Sequence, residues 1–133
     1  MPPPEFEPLV LVVDDYDDAR EMYAESLTVC GFRVAEAADG LRAIELAQRL
    51  APDVILMDLS LPGLDGWEAT RRLKADARTM HFLVVALPRR AMASASDRAR
   101  AAGCDRFVVK PALPDVVVGE VRQALLKKSM SVT

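Results

Sequence analysis

The stretch LVLVVDD, residues 9–15, decides the fold: five aliphatic residues are followed directly by two aspartates. A second stretch, DVILMD at residues 53–58, again ends an apolar run on an aspartate. Continuous apolar runs of this length are typical of strands that are buried on both faces of a parallel sheet. The aspartates would then mark the carboxyl ends of two such strands.

Short apolar runs and helical patterns alternate along the chain. The predicted strands are Leu9 to Val13, Arg33 to Glu36, Asp53 to Met57, Phe82 to Leu87 and Arg106 to Val109. The predicted helices, with apolar residues at a period of 3.6, are Ala19 to Cys30, Leu41 to Leu50, Gly66 to Ala75, an alanine-rich Met92 to Ala102, and Pro114 to Lys127. This alternation predicts an α/β fold, with a doubly wound five-stranded parallel sheet and five helices.

Length and composition limit the class of protein. The chain has 133 residues, of which 51% are hydrophobic, which fits one compact domain over residues 8–127. Residues 1–7 and 128–133 are expected to be flexible tails. The formal net charge of -3 disfavours direct nucleic-acid binding. Without a signal peptide or an apolar run of about 20 residues, the chain is expected to be cytoplasmic and without membrane contact.

Cysteine and histidine usage gives no sign of a zinc or disulfide framework. Cys30 and Cys104 lack CxxC spacing, so both are expected to be reduced thiols in the core. His81 is the single histidine, which argues against a site of several histidines.

Four ionisable residues end three of the predicted strands: Asp14 and Asp15 the first, Asp58 the third and Lys110 the fifth. In a parallel sheet these positions lie along one edge, where functional clefts of such folds form. Three crowded carboxylates repel one another unless a cation such as Mg²⁺, which prefers oxygen ligands, neutralises them. With a lysine as a fixed positive charge, the set predicts phosphoryl transfer onto an aspartate.

A simpler reading, in which acidic residues only cap helices, is adopted for the residues that precede or open a helix, Asp17, Asp18, Asp39 and Asp65. It does not explain why Asp14, Asp15, Asp58 and Lys110 all follow apolar runs.

Three segments resemble the receiver domain of bacterial response regulators: VLVVDDYDDAR at 10–20, MDLSLPGLDGWE at 57–68 and AAGCDRFVVKP at 101–111. The resemblance extends over nearly the whole chain. It implies a flavodoxin-like, CheY-like fold with strand order 2-1-3-4-5.

The resemblance also implies roles for individual residues. Asp58 would be the phosphoacceptor, and Lys110 would contact the phosphoryl group. Asp14 and Asp15 would hold Mg²⁺ directly or through water, together with Asp58 and the backbone carbonyl of Ser60.

Two further family positions are matched, by Pro111 and Phe107, and two are not, at Pro88 and Arg89. The peptide bond before Pro111 would be cis, and Phe107 matches an aromatic residue that rotates between exposed and buried positions, although a plain core role fits it equally well. Pro88 stands where the family has a Thr or Ser whose hydroxyl binds the phosphoryl group, and Arg89 replaces a small residue. Proline supplies neither a hydroxyl nor an amide donor, so switching is expected to be atypical. Arg89 would belong to a solvated basic loop, supply the missing contact through its guanidinium, or screen the site from a partner.

Three classes of function follow. The favoured class is a signalling receiver, not an enzyme, that takes its phosphoryl group from a histidine kinase or phosphotransfer protein and acts on an unknown downstream protein as a monomer or weak homodimer. The second is a pseudo-receiver that binds proteins without obligatory phosphorylation. The third, a magnesium-dependent phosphatase of the haloacid-dehalogenase type using Asp15 and Asp17, leaves Asp58 unexplained. No output domain follows Lys128, so the chain is expected to be a free-standing receiver or a fragment.

Overall fold

Five parallel strands form one sheet in the computed structural model, which describes residues 7–89 and 102–130 and, for residues 129 and 130, the backbone alone. The strands are β1 (Leu9–Val13), β2 (Arg33–Ala37), β3 (Val54–Asp58), β4 (Leu83–Leu87) and β5 (Arg106–Phe107). Their spatial order is β2-β1-β3-β4-β5, and every neighbouring pair is parallel. The predicted doubly wound sheet with order 2-1-3-4-5 is therefore confirmed.

The described residues contain four helices, not the predicted five. They are α1 (Asp17–Val29), α2 (Gly40–Leu50), α3 (Gly66–Ala75) and α4 (Pro114–Met130). The predicted helix Met92 to Ala102 lies, apart from Ala102, outside the described residues. In the described part of the chain, no helix has the length and apolar content of a membrane span.

The core has two layers because the sheet is covered on both faces. All ten residues of β1 and β3 except Asp58 are apolar, and every one of the ten is buried. On one face they pack with α2 and α3, through residues such as Leu46 and Trp67. On the other face they pack with α1 and α4, through residues such as Leu27 and Val121. The two central strands thus hold the carboxyl edge of the sheet in a fixed place.

The predicted helix caps are confirmed at α2 and α3 and wrong at α1. The side chains of Asp39 and Asp65 cap α2 and α3 by accepting hydrogen bonds from backbone amides three residues later, at 2.8 and 2.9 Å. The capping role predicted for Asp17 and Asp18 is wrong. Helix α1 begins at Asp17, so both residues lie in its first turn. Their negative charges there interact favourably with the positive end of the helix dipole.

Some helical and loop residues are more exposed than predicted, and one strand is shorter. Cys30 is exposed because it follows the last turn of α1, so the prediction that it is a core thiol is wrong. The period of 3.6 also predicted that Met22 and Leu50 lie on the buried faces of their helices, and this is wrong: they are 39% and 43% exposed, since the buried stripes run through other residues. Strand β5 has two residues rather than four, because beyond Phe107 only an isolated bridge, Arg89 to Lys110, joins the two chain segments.

Candidate functional site

Three carboxylates meet at the carboxyl edge of the sheet. β1 and β3 are neighbours, with Val13 paired to Met57, so the next residues, Asp14 and Asp58, leave the two strands at the same level. Oxygen atoms of Asp14, Asp15 and Asp58 lie within 4.8 Å of one another. Asp14 and Asp58 are each 1% exposed, and Asp15 is exposed. The structure thus brings together the three acidic residues that the sequence placed at strand ends.

Local hydrogen bonds fix the two buried carboxylates. Asp14 Oδ1 accepts from the Tyr16 amide at 3.0 Å, and Asp58 Oδ1 accepts from the Ser60 amide at 3.1 Å. Each bond spans two residues, the pattern by which an aspartate side chain closes a turn after a strand. Oδ1 of each carboxylate is therefore engaged in a turn, and Oδ2 is left for other contacts.

Lys110 follows the edge strand β5, and its side chain reaches the carboxylate cluster. Its Nζ donates to Asp14 Oδ2 at 2.7 Å and lies 3.8 Å from Asp58 Oδ2. Its amide donates to the Pro88 carbonyl at 2.7 Å, which holds it beside the end of β4. The Lys110–Pro111 peptide bond is cis. One ammonium group thus faces two buried carboxylates.

Asp58 is the least satisfied member of the cluster. Within the described residues its Oδ2 is buried and has no hydrogen-bond partner. Burial raises the pKa of Asp58, the charges of Asp14 and Asp15 raise it further, and Lys110 and the Ser60 amide act in the opposite direction. A buried acceptor without a partner, beside two more carboxylates, fits a hard divalent cation with oxygen ligands such as Mg²⁺.

Pro88 and Arg89, the two positions that depart from the family pattern, adjoin Lys110 through a backbone hydrogen bond and an isolated bridge. Pro88 follows β4 directly and is buried, whereas Arg89 is exposed. Phe107 lies in β5, is partly buried, and packs against the core on the side of α2 and α3. Neither Pro88 nor Phe107 offers a polar side chain to the cluster.

Sequence reasoning missed Arg20. Its guanidinium donates to the Asp14 carbonyl at 3.0 Å and contacts Asp17 at 2.7 Å and Glu36 at 3.1 Å, so it ties the ends of β1 and β2 to α1. Its spacing of three residues from Asp17 was the available signal. It also missed the Tyr23 hydroxyl, which donates to the Ala112 carbonyl at 3.1 Å and joins α1 to the loop after Lys110.

Comparison with known proteins gives one consistent family. The chain matches the response regulator receiver domain over residues 10–122. It is 33% identical over 102 residues to the polar-differentiation response regulator DivK of Brucella anthropi, an alignment that covers 77% of this chain and 83% of that protein.

Solved structures agree. Chemotaxis protein CheY4 of Vibrio cholerae superposes with a TM-score of 0.83 at 26% identity, over 89% of this chain and 98% of that one. The receiver domain of a sensor histidine kinase from Pseudomonas aeruginosa PAO1 gives a TM-score of 0.81 at 29% identity, over 89% and 97%. That structure has a magnesium ion coordinated in its active-site cleft.

Proposed function

The chain belongs to the receiver-domain family of response regulators, and from this we propose that it accepts a phosphoryl group on Asp58 from a histidine kinase or phosphotransfer protein. The single observation that carries the proposal is the state of Asp58. It is a buried carboxylate beside two further carboxylates and a lysine, and one of its oxygens has no hydrogen-bond partner among residues 7–89 and 102–130. A buried acid under such repulsion is a poor structural element and a suitable nucleophile.

Mg²⁺ fits the same cluster. We propose that Asp14, Asp15, Asp58 and the backbone carbonyl of Ser60 hold it, because all four offer the oxygen ligands that this ion prefers. When bound, the ion supplies positive charge that offsets the carboxylates and the phosphoryl oxygens.

The chain's own residues account for the transfer step. A carboxylate oxygen of Asp58 forms a bond to phosphorus, and the bond from phosphorus to the donor's nitrogen or oxygen breaks, its electron pair leaving with the donor. Lys110, whose Nζ donates to Asp14 in the unmodified protein, would then pair with the new phosphoryl group. The product is an aspartyl phosphate, and the receiver then signals by contact with a downstream protein rather than by turnover of a substrate.

Switching is proposed to be atypical because of Pro88. A threonine here would offer a hydroxyl that follows the phosphoryl group inward, whereas proline offers no donor and a fixed φ. Pro88→Thr is therefore expected to change the affinity of the phosphorylated form for its partner. Equal partner affinities for Pro88→Thr and the parent chain, in both phosphorylation states, would count against this.

A second candidate function rests on the same residue. Since Pro88 removes one phosphoryl contact, a pseudo-receiver that binds its partner without phosphorylation is the alternative. The two functions differ in one observable: the first requires phosphorylation of Asp58, and the second does not.

Intact mass spectrometry tests the main proposal. The chain and Asp58→Asn are incubated with Mg²⁺ and acetyl phosphate, and a single phosphoryl increment is expected in the chain alone. Mg²⁺ binding without any increment, with acetyl phosphate and with a phosphorylated histidine phosphotransfer domain, would favour the pseudo-receiver.

A further inference from the structure

Arg89 is a positive charge at the acidic edge that the proposed function does not use. It pairs with Lys110 in an isolated parallel bridge. Directly paired residues of neighbouring strands direct their side chains to the same face of a sheet. Arg89 therefore projects on the same side as Lys110, whose Nζ reaches Asp14 and lies 3.8 Å from Asp58.

A cavity confirms this placement. A space of about 480 Å³ lies between α1 and the segment after β5, and Arg89 and Lys110 both line it. The rest of its wall is mainly apolar, from Ala19, Met22, Tyr23, Pro111 and Ala112. Its volume is in the range of small-molecule sites, and its wall includes Lys110, whose Nζ lies 3.8 Å from Asp58 Oδ2.

The positive charges of Lys110 and of a divalent cation are not enough to offset both the carboxylates and an incoming phosphoryl group. Lys110 and one divalent cation, when bound, would together balance the three carboxylates of Asp14, Asp15 and Asp58. An incoming phosphoryl group adds two negative charges, which these cations cannot also neutralise. Among residues 7–89 and 102–130 no carboxylate pairs with Arg89, so its guanidinium is available for that group.

We propose that Arg89 is a donor-recognition residue: it binds the phosphoryl group of the incoming donor, and the adjoining cavity takes the leaving group when that donor is a small acyl phosphate. This inference rests on the proposed function of Asp58. Arginine suits the role because its planar guanidinium forms two parallel hydrogen bonds to phosphoryl oxygens. It also accounts for an exposed arginine beside Pro88, where the family has a small residue after its hydroxyl.

Phosphorylation kinetics test the proposal. The rate of the phosphoryl mass increment is measured against acetyl phosphate concentration for the parent chain, Arg89→Ala, Arg89→Lys and Arg49→Ala. Arg49 is a matched control, since it is an exposed arginine in the last turn of α2, at the opposite edge of the sheet. Mg²⁺ affinity is measured in parallel by titration calorimetry with the metal alone.

Arg89→Ala is expected to raise the half-saturating donor concentration by about tenfold, the effect of one charge-assisted contact. Arg89→Lys is expected to recover part of the loss, and Arg49→Ala to behave like the parent chain. Mg²⁺ affinity should stay within about twofold in Arg89→Ala, which separates donor binding from damage to the site.

Four results would overturn the inference. A half-saturating concentration unchanged in Arg89→Ala would remove the role of Arg89 and leave Asp58 as acceptor. An equal rise in Arg49→Ala would reduce the effect to overall charge. A parent chain that gains a phosphoryl group from a phosphorylated histidine phosphotransfer domain but none from acetyl phosphate would overturn the inference alone, and one that gains none from either donor would overturn the proposed function as well.

Discussion

Asp58 combines a structural bond and an unpaired oxygen in one side chain. Its Oδ1 closes a turn with the Ser60 amide, and its buried Oδ2 is left without a protein partner in the described residues. An acceptor of this kind lowers stability unless a ligand satisfies it. The unpaired oxygen of Asp58 thus lowers the stability of the fold, and it suits a reactive role better than a structural one.

Replacing this carboxylate should stabilise the fold. Asp58→Asn removes a buried charge and is expected to raise the free energy of unfolding by about 1 kcal/mol at pH 7 without metal. Chemical denaturation measures it. Added Mg²⁺ should reduce the difference in the free energy of unfolding between Asp58→Asn and the parent chain, because it stabilises the parent chain by binding its folded state. A variant less stable than the parent chain at pH 7 without metal would contradict the assignment.

The pH dependence has a definite sign. Burial raises the folded-state pKa of Asp58 above its unfolded value, so the folded protein holds this proton more tightly. The stabilising contribution of the carboxyl group is therefore fully present below the unfolded pKa and is lost as pH rises through the folded pKa. The advantage of Asp58→Asn should shrink as pH falls from 7 toward 4, and an advantage that grows would refute the raised pKa.

The two cysteines should differ in reactivity. Burial raises the pKa of Cys104 to about 11, whereas Cys30 is exposed at the end of α1. The thiolate is the reactive form, so iodoacetamide at pH 8 should modify Cys104 at least about tenfold more slowly than Cys30. Peptide mapping over time gives both rates, and similar rates would show that Cys104 is accessible.

At the scale of elements, the start of α3 packs closely against the end of β3. A Cβ on Gly66 would overlap the backbone carbonyl of Asp58, so the helix can reach the strand end only with glycine there. Gly66→Ala is expected to lower the free energy of unfolding by about 1–3 kcal/mol and to weaken Mg²⁺ binding.

Gly119 supplies the matched control, because a Cβ at this position of α4 would meet no atom within 4 Å. Gly119→Ala should raise stability by about 0.5–1 kcal/mol through helix propensity and leave Mg²⁺ binding unchanged. Calorimetry and denaturation are run on both variants. Equal effects of the two substitutions would contradict the close contact at Gly66.

Lys74 fastens α3 to the opposite edge of the sheet. Its Nζ donates to the Phe82 carbonyl at 2.8 Å and to Asp105 Oδ2 at 2.9 Å, and the same oxygen accepts from the Val84 amide. Lys74→Ala should cost about 2 kcal/mol of stability, against less than about 0.5 for the exposed Lys127→Ala. Mg²⁺ affinity should not change, since the contacts lie away from the carboxyl edge. A loss no larger than that of Lys127→Ala would remove this role.

Sequence patterns predicted some elements better than others, for physical reasons. β1 and β3 are buried on both faces, so their apolar runs are unbroken and their terminal aspartates stand out. β5 lies at the sheet edge and pairs over two residues only, which no run of apolar letters reveals. Arg20 was missed because its partners include a backbone carbonyl and Glu36 on another strand.

At the scale of the molecule, β-α alternation predicts a parallel sheet but not the order of its strands. The order followed from the resemblance to receivers, whereas the placement of Asp14, Asp58 and Lys110 along one edge followed from the parallel sheet itself. The sequence alone indicated which residues belong to the site. Their roles depend on distances, such as the 2.7 Å from Lys110 to Asp14, that only three-dimensional packing sets.

The whole account depends on which atom receives the phosphoryl group. The most direct measurement is tandem mass spectrometry of the tryptic peptide 50–71, after incubation with Mg²⁺ and acetyl phosphate and reduction of the aspartyl phosphate with borohydride. That peptide also contains Asp53 and Asp65, which serve as internal controls. The account predicts modification at Asp58 alone and none without Mg²⁺. Modification at another aspartate, or none under any condition that phosphorylates a known receiver, would contradict it.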